Sequence, residues 1–132
     1  MKQASRDWVK KAEEKAEEDY LAALDLARRR KRQLHNSVCF HCQQSAEKYL
    51  KARIEEAGLR ILKSHDLESL LNILLQVEPL WAALRPALQN LTDFAVDFRY
   101  PGNEANKQDA KTALRDCRAV RKEVRLALGL TV

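Results

Sequence analysis

Apolar residues return every three or four positions along almost the whole chain, the spacing of helices that each bury one side. In the first segment, from Ser5 to about Lys31, the stripe is Trp8, Ala12, Ala16, Tyr20, Ala23 and Ala27. Acids crowd its first half, and the run Arg28-Arg29-Arg30-Lys31-Arg32 closes it. That polarity suits the helix dipole, which favours anions near the N-terminus and cations near the C-terminus. Consecutive helical residues point all round the axis, so the basic run is read as dipole compensation and solubility, not as one patch.

A second helix is predicted from about Ser37, an N-cap residue type, to Ala57, where Gly58 stops it. Val38, Cys42, Ala46, Tyr49 and Ile54 mark its apolar side. After a linker through Lys63, Asp66 is placed to cap a short helix carrying Leu67, Leu70, Leu71, Leu74 and Leu75, and Glu78-Pro79 ends it. Pro86 suits a first helical turn and predicts a further helix over about Arg85–Phe98, with Leu88, Leu91, Ala95 and Phe98 inward. A Tyr100-Pro101-Gly102 turn leads to the last helix, about Glu104–Leu128, which buries Ala110, Ala113, Cys117, Val120, Val124 and Ala127 or Leu128. Short loops make successive helices antiparallel. The expected fold is therefore an all-α, up-and-down antiparallel bundle of four long helices plus one short one, a single domain over residues 1–132.

Composition narrows the class. A chain of 132 residues, 45 % apolar and 33 % charged, is one globular domain's worth. Three glycines and three prolines are too few turns for an all-β fold. No apolar run approaches the ~20 residues of a membrane span, and Met1 to Lys15 lacks a signal-peptide core. No membrane association is expected, and the expected location is cytoplasmic. Three cysteines fit a reducing compartment better than a disulfide framework. The net charge of +5 sits at the two ends of the sequence, and it permits an acidic partner such as RNA, a nucleotide or an acidic protein.

Several groupings carry potential chemistry. Cys39-x-His41-Cys42 looks like half a zinc site. On a continuous helix, however, His41 points nearly opposite Cys39. Cys117, on the core face of the last helix, is placed to meet Cys42. The thiols are therefore read as small core fillers, with no metal and no cofactor. The serines sit in no nucleophile elbow, and there is no glycine-rich phosphate loop. Asp93 and Asp97, one turn apart, read as a solvated face. Gln43 to Ala52 reads as a good exposed helix in which Glu47 and Lys51 form an i,i+4 pair. Arg99 closes a helix against a turn, where its forked donors can answer the helix dipole or receive a phosphate. Arg118, Arg121, Lys122 and Arg125 add a basic stripe to the last helix. Phe94, Trp81 and some leucines exceed what one small bundle needs inside and suggest an interface.

The string Phe40-His41-Cys42-Gln43-Gln44-Ser45-Ala46-Glu47-Lys48-Tyr49-Leu50-Lys51-Ala52 resembles the second-helix signature of HEPN domains. His65-Asp66-Leu67 followed by leucines, Arg99-Tyr100-Pro101 before the last helix, and the amphipathic opening around Asp7-Trp8 are similar to further landmarks of that family. The resemblance implies a helical bundle, a homodimer and a minimal nucleotidyltransferase as partner, often in a toxin–antitoxin module. It also implies a ligand site for nucleotide or RNA on Arg99, Tyr100, Gln44, Glu47, Lys48 and Lys51. Active members of the family are metal-independent ribonucleases that use an Arg followed four to six residues later by His. The 2′-hydroxyl attacks the adjacent phosphate, the His moves protons and the Arg steadies the developing charge. Here Arg99 matches the arginine, but positions 104 to 106 are Glu104, Ala105 and Asn106, and no histidine follows His65. The expectation is a binding module that is catalytically weak or inactive. The alternatives are a ribonuclease toxin with Arg99 and Glu104 as its catalytic pair, with His65 or His41 as spatial substitutes, and a purely structural partner-binding bundle.

Overall fold

The structure is a computed structural model describing residues 1–132. It consists of five α-helices, α1 (Gln3–Ala27), α2 (His35–Glu56), α3 (Leu67–Leu74), α4 (Arg85–Asp97) and α5 (Lys107–Ala127), with a 3₁₀ segment, Pro79–Leu84, running directly into α4. It is the all-α bundle that the periodicity predicts. No helix is long and apolar enough to cross a membrane.

The centre of the bundle is α2, which packs against α1, α3, α4 and α5. A helix with neighbours on so many sides cannot keep a broad solvated face. Beyond the predicted stripe, Cys39, Gln43, Ser45, Glu47 and Ala52 are therefore also buried. The expectation of an exposed polar helix over Gln43–Ala52 is corrected accordingly. Around α2 the core is closed by Leu67, Leu70, Leu71 and Leu74 of α3, Leu88 and Leu91 of α4, and Val120 and Val124 of α5, all fully buried.

Local signals explain most boundaries. Gly58, at φ +73°, takes the left-handed conformation beyond α2, and the Leu59 N–H reaches back to the Ile54 carbonyl at 3.0 Å, a Schellman closure. Asp66 caps α3, accepting from the Glu68 N–H at 3.1 Å. Pro86 falls in the first turn of α4, where its missing N–H costs no hydrogen bond.

Four boundaries or placements differ from expectation. Helix α1 stops at Ala27, so Arg28 to Arg32 form an exposed turn in which Arg32 has φ +51°. No acid lies in the first turn of α1 and no base in its last, and the basic run begins at the C-cap residue, Arg28. Helix α2 begins at His35, with Ser37 already inside it. Helix α5 begins at Lys107, after Glu104, because Asn106 and Asp109 form a reciprocal capping box with bonds of 2.8 and 2.9 Å. Replacing Asn106 by alanine is expected to cost about 1 kcal/mol in a denaturant titration. Trp81 is buried, so it belongs to the core and not to an interface.

Candidate functional site

Arg99 stands just beyond α4. The Tyr100-Pro101-Gly102 turn that follows requires a left-handed residue, supplied by Gly102 at φ +96°. Arg99 is exposed at the edge of a cavity of about 190 Å³, lined by Asn36 and Phe40 of α2 and by Phe94, Ala95 and Phe98 of the α4 end. Phe94 and Phe98 stack, with ring centroids 5.6 Å apart. No intramolecular hydrogen bond or ion pair holds the Arg99 guanidinium, whereas the neighbouring polar groups are tied together. The Asn36 amide donates to Glu104 Oε2 at 2.8 Å, and its Oδ1 accepts the Ala105 N–H at 2.7 Å. Asn36 thus anchors the segment before α5, and it ties Glu104, which does not itself line the Arg99 cavity, to one of the residues that do. Pattern reading missed Asn36, whose partners lie almost seventy residues away in the chain. Tyr100, next to Arg99 in the chain, is 61 % exposed and does not line the cavity.

The α2 residues grouped with Arg99 by sequence lie elsewhere. Glu47 is buried, and its carboxylate accepts from Gln43 Nε2 at 3.2 Å, Lys51 Nζ at 3.2 Å and His65 Nδ1 at 3.0 Å. Lys48 pairs with Asp19 Oδ2 at 2.6 Å, and His41 Nδ1 meets Asp19 Oδ1 at 2.9 Å. Glu47, Lys48 and Lys51 line a groove between α1 and α2, together with Trp8, Lys11, Ala12 and Lys15. Gln44 donates to Gln43 at 2.8 Å and lines neither this groove nor the Arg99 cavity. The single ligand set expected from sequence is therefore two separate places. Neither His41 nor His65 lines the Arg99 cavity, so neither stands where a histidine would follow the arginine.

The basic stripe of α5 is also reassigned. Arg121 makes a two-pronged pair with Glu17, both bonds 2.7 Å, and lies 4.6 Å over the Tyr20 ring. Arg125 donates to Glu13 at 2.8 Å and to the Tyr49 hydroxyl at 3.1 Å, and Arg118 donates to the Tyr20 hydroxyl at 3.1 Å. These arginines fasten α5 to α1 and α2. The Arg121 guanidinium holds the Glu17 carboxyl below the usual carboxylate range despite an opposing effect of burial, and the Tyr49 hydroxyl assists. Burial, helped by Glu17, pushes the Tyr49 phenol up.

Cys39, Cys42 and Cys117 are all buried. Burial pushes the Cys39 thiol up to about 12. Cys42 is a free thiol whose pKa is raised first by hydrogen bonding with the neighbouring Cys117 thiol and then by burial. With His41 turned toward Asp19, the Cys-x-His-Cys ligands do not converge, and no group of three His, Cys, Asp or Glu side chains is placed to hold a metal ion. Asp93 and Asp97 are exposed, as a solvated face requires.

Comparison with curated proteins and with solved structures finds no match to this chain. A family model does match, that of the HEPN domain, over residues 5–127, which takes in nearly all of α1 and every later helix. The bundle, the second-helix signature and the arginine before the last helix accord with that match, and the chain belongs to the HEPN domain family.

Proposed function

We propose that this chain is a homodimeric HEPN module in which the Arg99 corners of two copies share one cleft that receives a nucleotide or RNA phosphate. The observation that carries the reading is the unpaired Arg99 guanidinium at an apolar concavity, whereas Arg121 and Arg125 of the last helix are committed to carboxylates and Arg118 to the Tyr20 hydroxyl. Phe40, Val96 and Tyr100, in or beside this corner, are 51 %, 54 % and 61 % exposed, an apolar face suited to a second copy. Arginine offers the planar fork that phosphate takes. Family resemblance adds a minimal nucleotidyltransferase as partner in a toxin–antitoxin-type pair, in the cytoplasm. Gln44, Glu47, Lys48 and Lys51 do not line the Arg99 cavity.

The missing histidine favours weak or no catalysis. Isothermal titration with ATP and with a short single-stranded RNA, on the wild type and on Arg99→Ala, tests the binding role. Loss of at least tenfold in affinity at one of the two ligands is expected, and equal binding by both proteins would refute it. Flat titrations combined with co-purification of a nucleotidyltransferase would select a purely structural bundle.

The Asn36–Glu104 bond favours a second reading, a ribonuclease in which Glu104 replaces the usual histidine, because it ties that carboxylate to a residue lining the Arg99 cavity. A solvated glutamate is ionised at pH 7, with a pKa of ~4.3, and serves better as a base than as an acid. Expression in a bacterial host separates the two. Growth arrest with RNA loss, abolished by Arg99→Ala or Glu104→Gln, supports the enzyme. Harmless expression with intact RNA supports the binding module.

A further inference from the structure

Two sets of opposite charge stand unpaired at the end of the bundle that carries Arg99. Asp93 and Asp97 lie one turn apart on α4 with Val96 between them, so the three share one face, and all are exposed. Neither carboxylate takes part in a hydrogen bond or an ion pair. The dipole of a helix opposes acids near its C-terminus, and α4 has no base in its last turn to offset them. The second set is the turn between α1 and α2, where Arg28-Arg29-Arg30-Lys31-Arg32 are five exposed cations. None of their side chains meets a carboxylate. The turn enters α2 at His35, next to Asn36, which lines the Arg99 cavity together with Ala95 and Phe98 from the α4 end.

Helix α2 packs against both α1 and α4, which share no packed face of their own. Its first turns therefore stand between the basic turn and the acidic end of α4. The surface has a basic edge, a middle formed by the exposed Phe40 and the Arg99 cavity, and an acidic edge. Within one copy the two edges do not pair. A two-fold contact sets residue i of one copy on residue j of the other, and j on i. With its axis through the middle, it lays each acidic edge against the basic turn opposite. We infer that Asp93 and Asp97 of one copy pair with the Arg28–Arg32 turn of a second copy, so that two charged edges flank the apolar contact and set its register. The inference rests on the Arg99 corner being the face where copies meet. A carboxylate beside Val96 that entered this contact unpaired would oppose it, and the basic turn removes that penalty. Because the turn supplies the cations, Arg99 stays free for an anion.

Charge reversal of each edge, alone and in combination, tests the pairing. Asp93→Lys/Asp97→Lys makes both edges basic, and Arg29→Glu/Arg30→Glu carries acid into the turn. All four positions are exposed, and unchanged far-UV circular dichroism confirms that the variants fold. Sedimentation velocity at low salt reads the dimer. Alone, each variant sets like charge against like at both edges and should dimerise roughly tenfold more weakly than the wild type. Mixed in equal amounts, the two variants oppose unlike charges at both edges and should form a heterodimer within about threefold of wild-type affinity. Variants that dimerise as the wild type does would overturn the pairing and leave the dimer standing. So would a mixture that stays monomeric after each variant has lost its dimer. A wild type that is monomeric at every concentration would instead remove the dimer itself, and the pairing with it. Weaker binding of a labelled six-residue RNA by Arg29→Glu/Arg30→Glu, with dimerisation unchanged, would overturn the pairing by assigning the turn to a strand.

Discussion

Glu17→Ala is expected to lower the folding stability by about 3 kcal/mol, measured by denaturant titration at neutral pH. One carboxylate here serves three elements. It takes both prongs of Arg121 from α5 and the Tyr49 hydroxyl from α2 while standing on α1. Arg121 and Glu17 are only 16 % and 23 % exposed, so removing the acid leaves a largely desolvated cation and a buried phenol short of a partner. Glu13 can hold Arg125 but is not bonded to Arg121, so the loss is not made good. The sign of the pH dependence follows from the same contacts. The folded-state pKa of Glu17 is lowered, so its contribution is complete above the unfolded value of ~4.3 and is lost as pH falls from there through the folded value. Glu17→Gln should therefore flatten the acid limb of the stability profile below pH ~4.3, by at most ~1.4 kcal/mol per pH unit. An acid limb identical to that of the wild type would show that this pair contributes nothing there.

This pairing also shows where sequence reading stops. Signals that act within a few residues were legible. Gly58, Asp66 and Pro86 each set a boundary through the local backbone, and the leucines of α3 declared their buried side by spacing alone. Glu13 and Glu17 looked like dipole partners because they lie in the first half of a helix. Their actual partners are 112 and 104 residues away, and no local pattern encodes them. The buried Glu47 was hidden for the same reason, since its partner His65 arrives on the linker after α2. The end of α1 was misplaced because arginine is a good helix former, and the chain turns back through Arg32 in a left-handed conformation without a glycine to announce it. The start of α5 was different: Asn106-x-x-Asp109 is a readable capping signal that outweighs the approximate periodicity used to begin the helix at Glu104. The place of Arg99 at a helix end is legible from the Tyr100-Pro101-Gly102 turn that follows it. That it borders the same concavity as Asn36 is a product of packing between α2 and α4, which periodicity does not specify.

If the proposed dimer meets through the Arg99 corner, Val96→Lys is expected to weaken self-association at least a hundredfold, seen by light scattering across micromolar concentrations as a shift from dimer to monomer. Val96 lies half exposed on the outer side of α4, three residues before Arg99, so a lysine there is harmless to one copy. Near the C-terminal end of a helix its charge even has the favoured sign. Placed in an apolar contact between copies, the same charge must be desolvated without a partner. A cost of about 3 kcal/mol corresponds to that hundredfold change. Arg99 supplies the complementary test. If both copies bring this arginine to one cleft, association gathers two like charges, and an anion between them relieves the repulsion. A ligand that binds the dimer and not the monomer must then strengthen the dimer by mass action. Adding millimolar inorganic phosphate should tighten wild-type dimers by roughly tenfold. Arg99→Gln should dimerise equally with and without phosphate, since the charge that couples the two events is gone. A Val96→Lys protein that stays dimeric, or an Arg99→Gln protein that keeps its phosphate dependence, would place the interface or the anion elsewhere. The two variants fail independently, because one tests which face meets its copy and the other tests what that meeting does to charge.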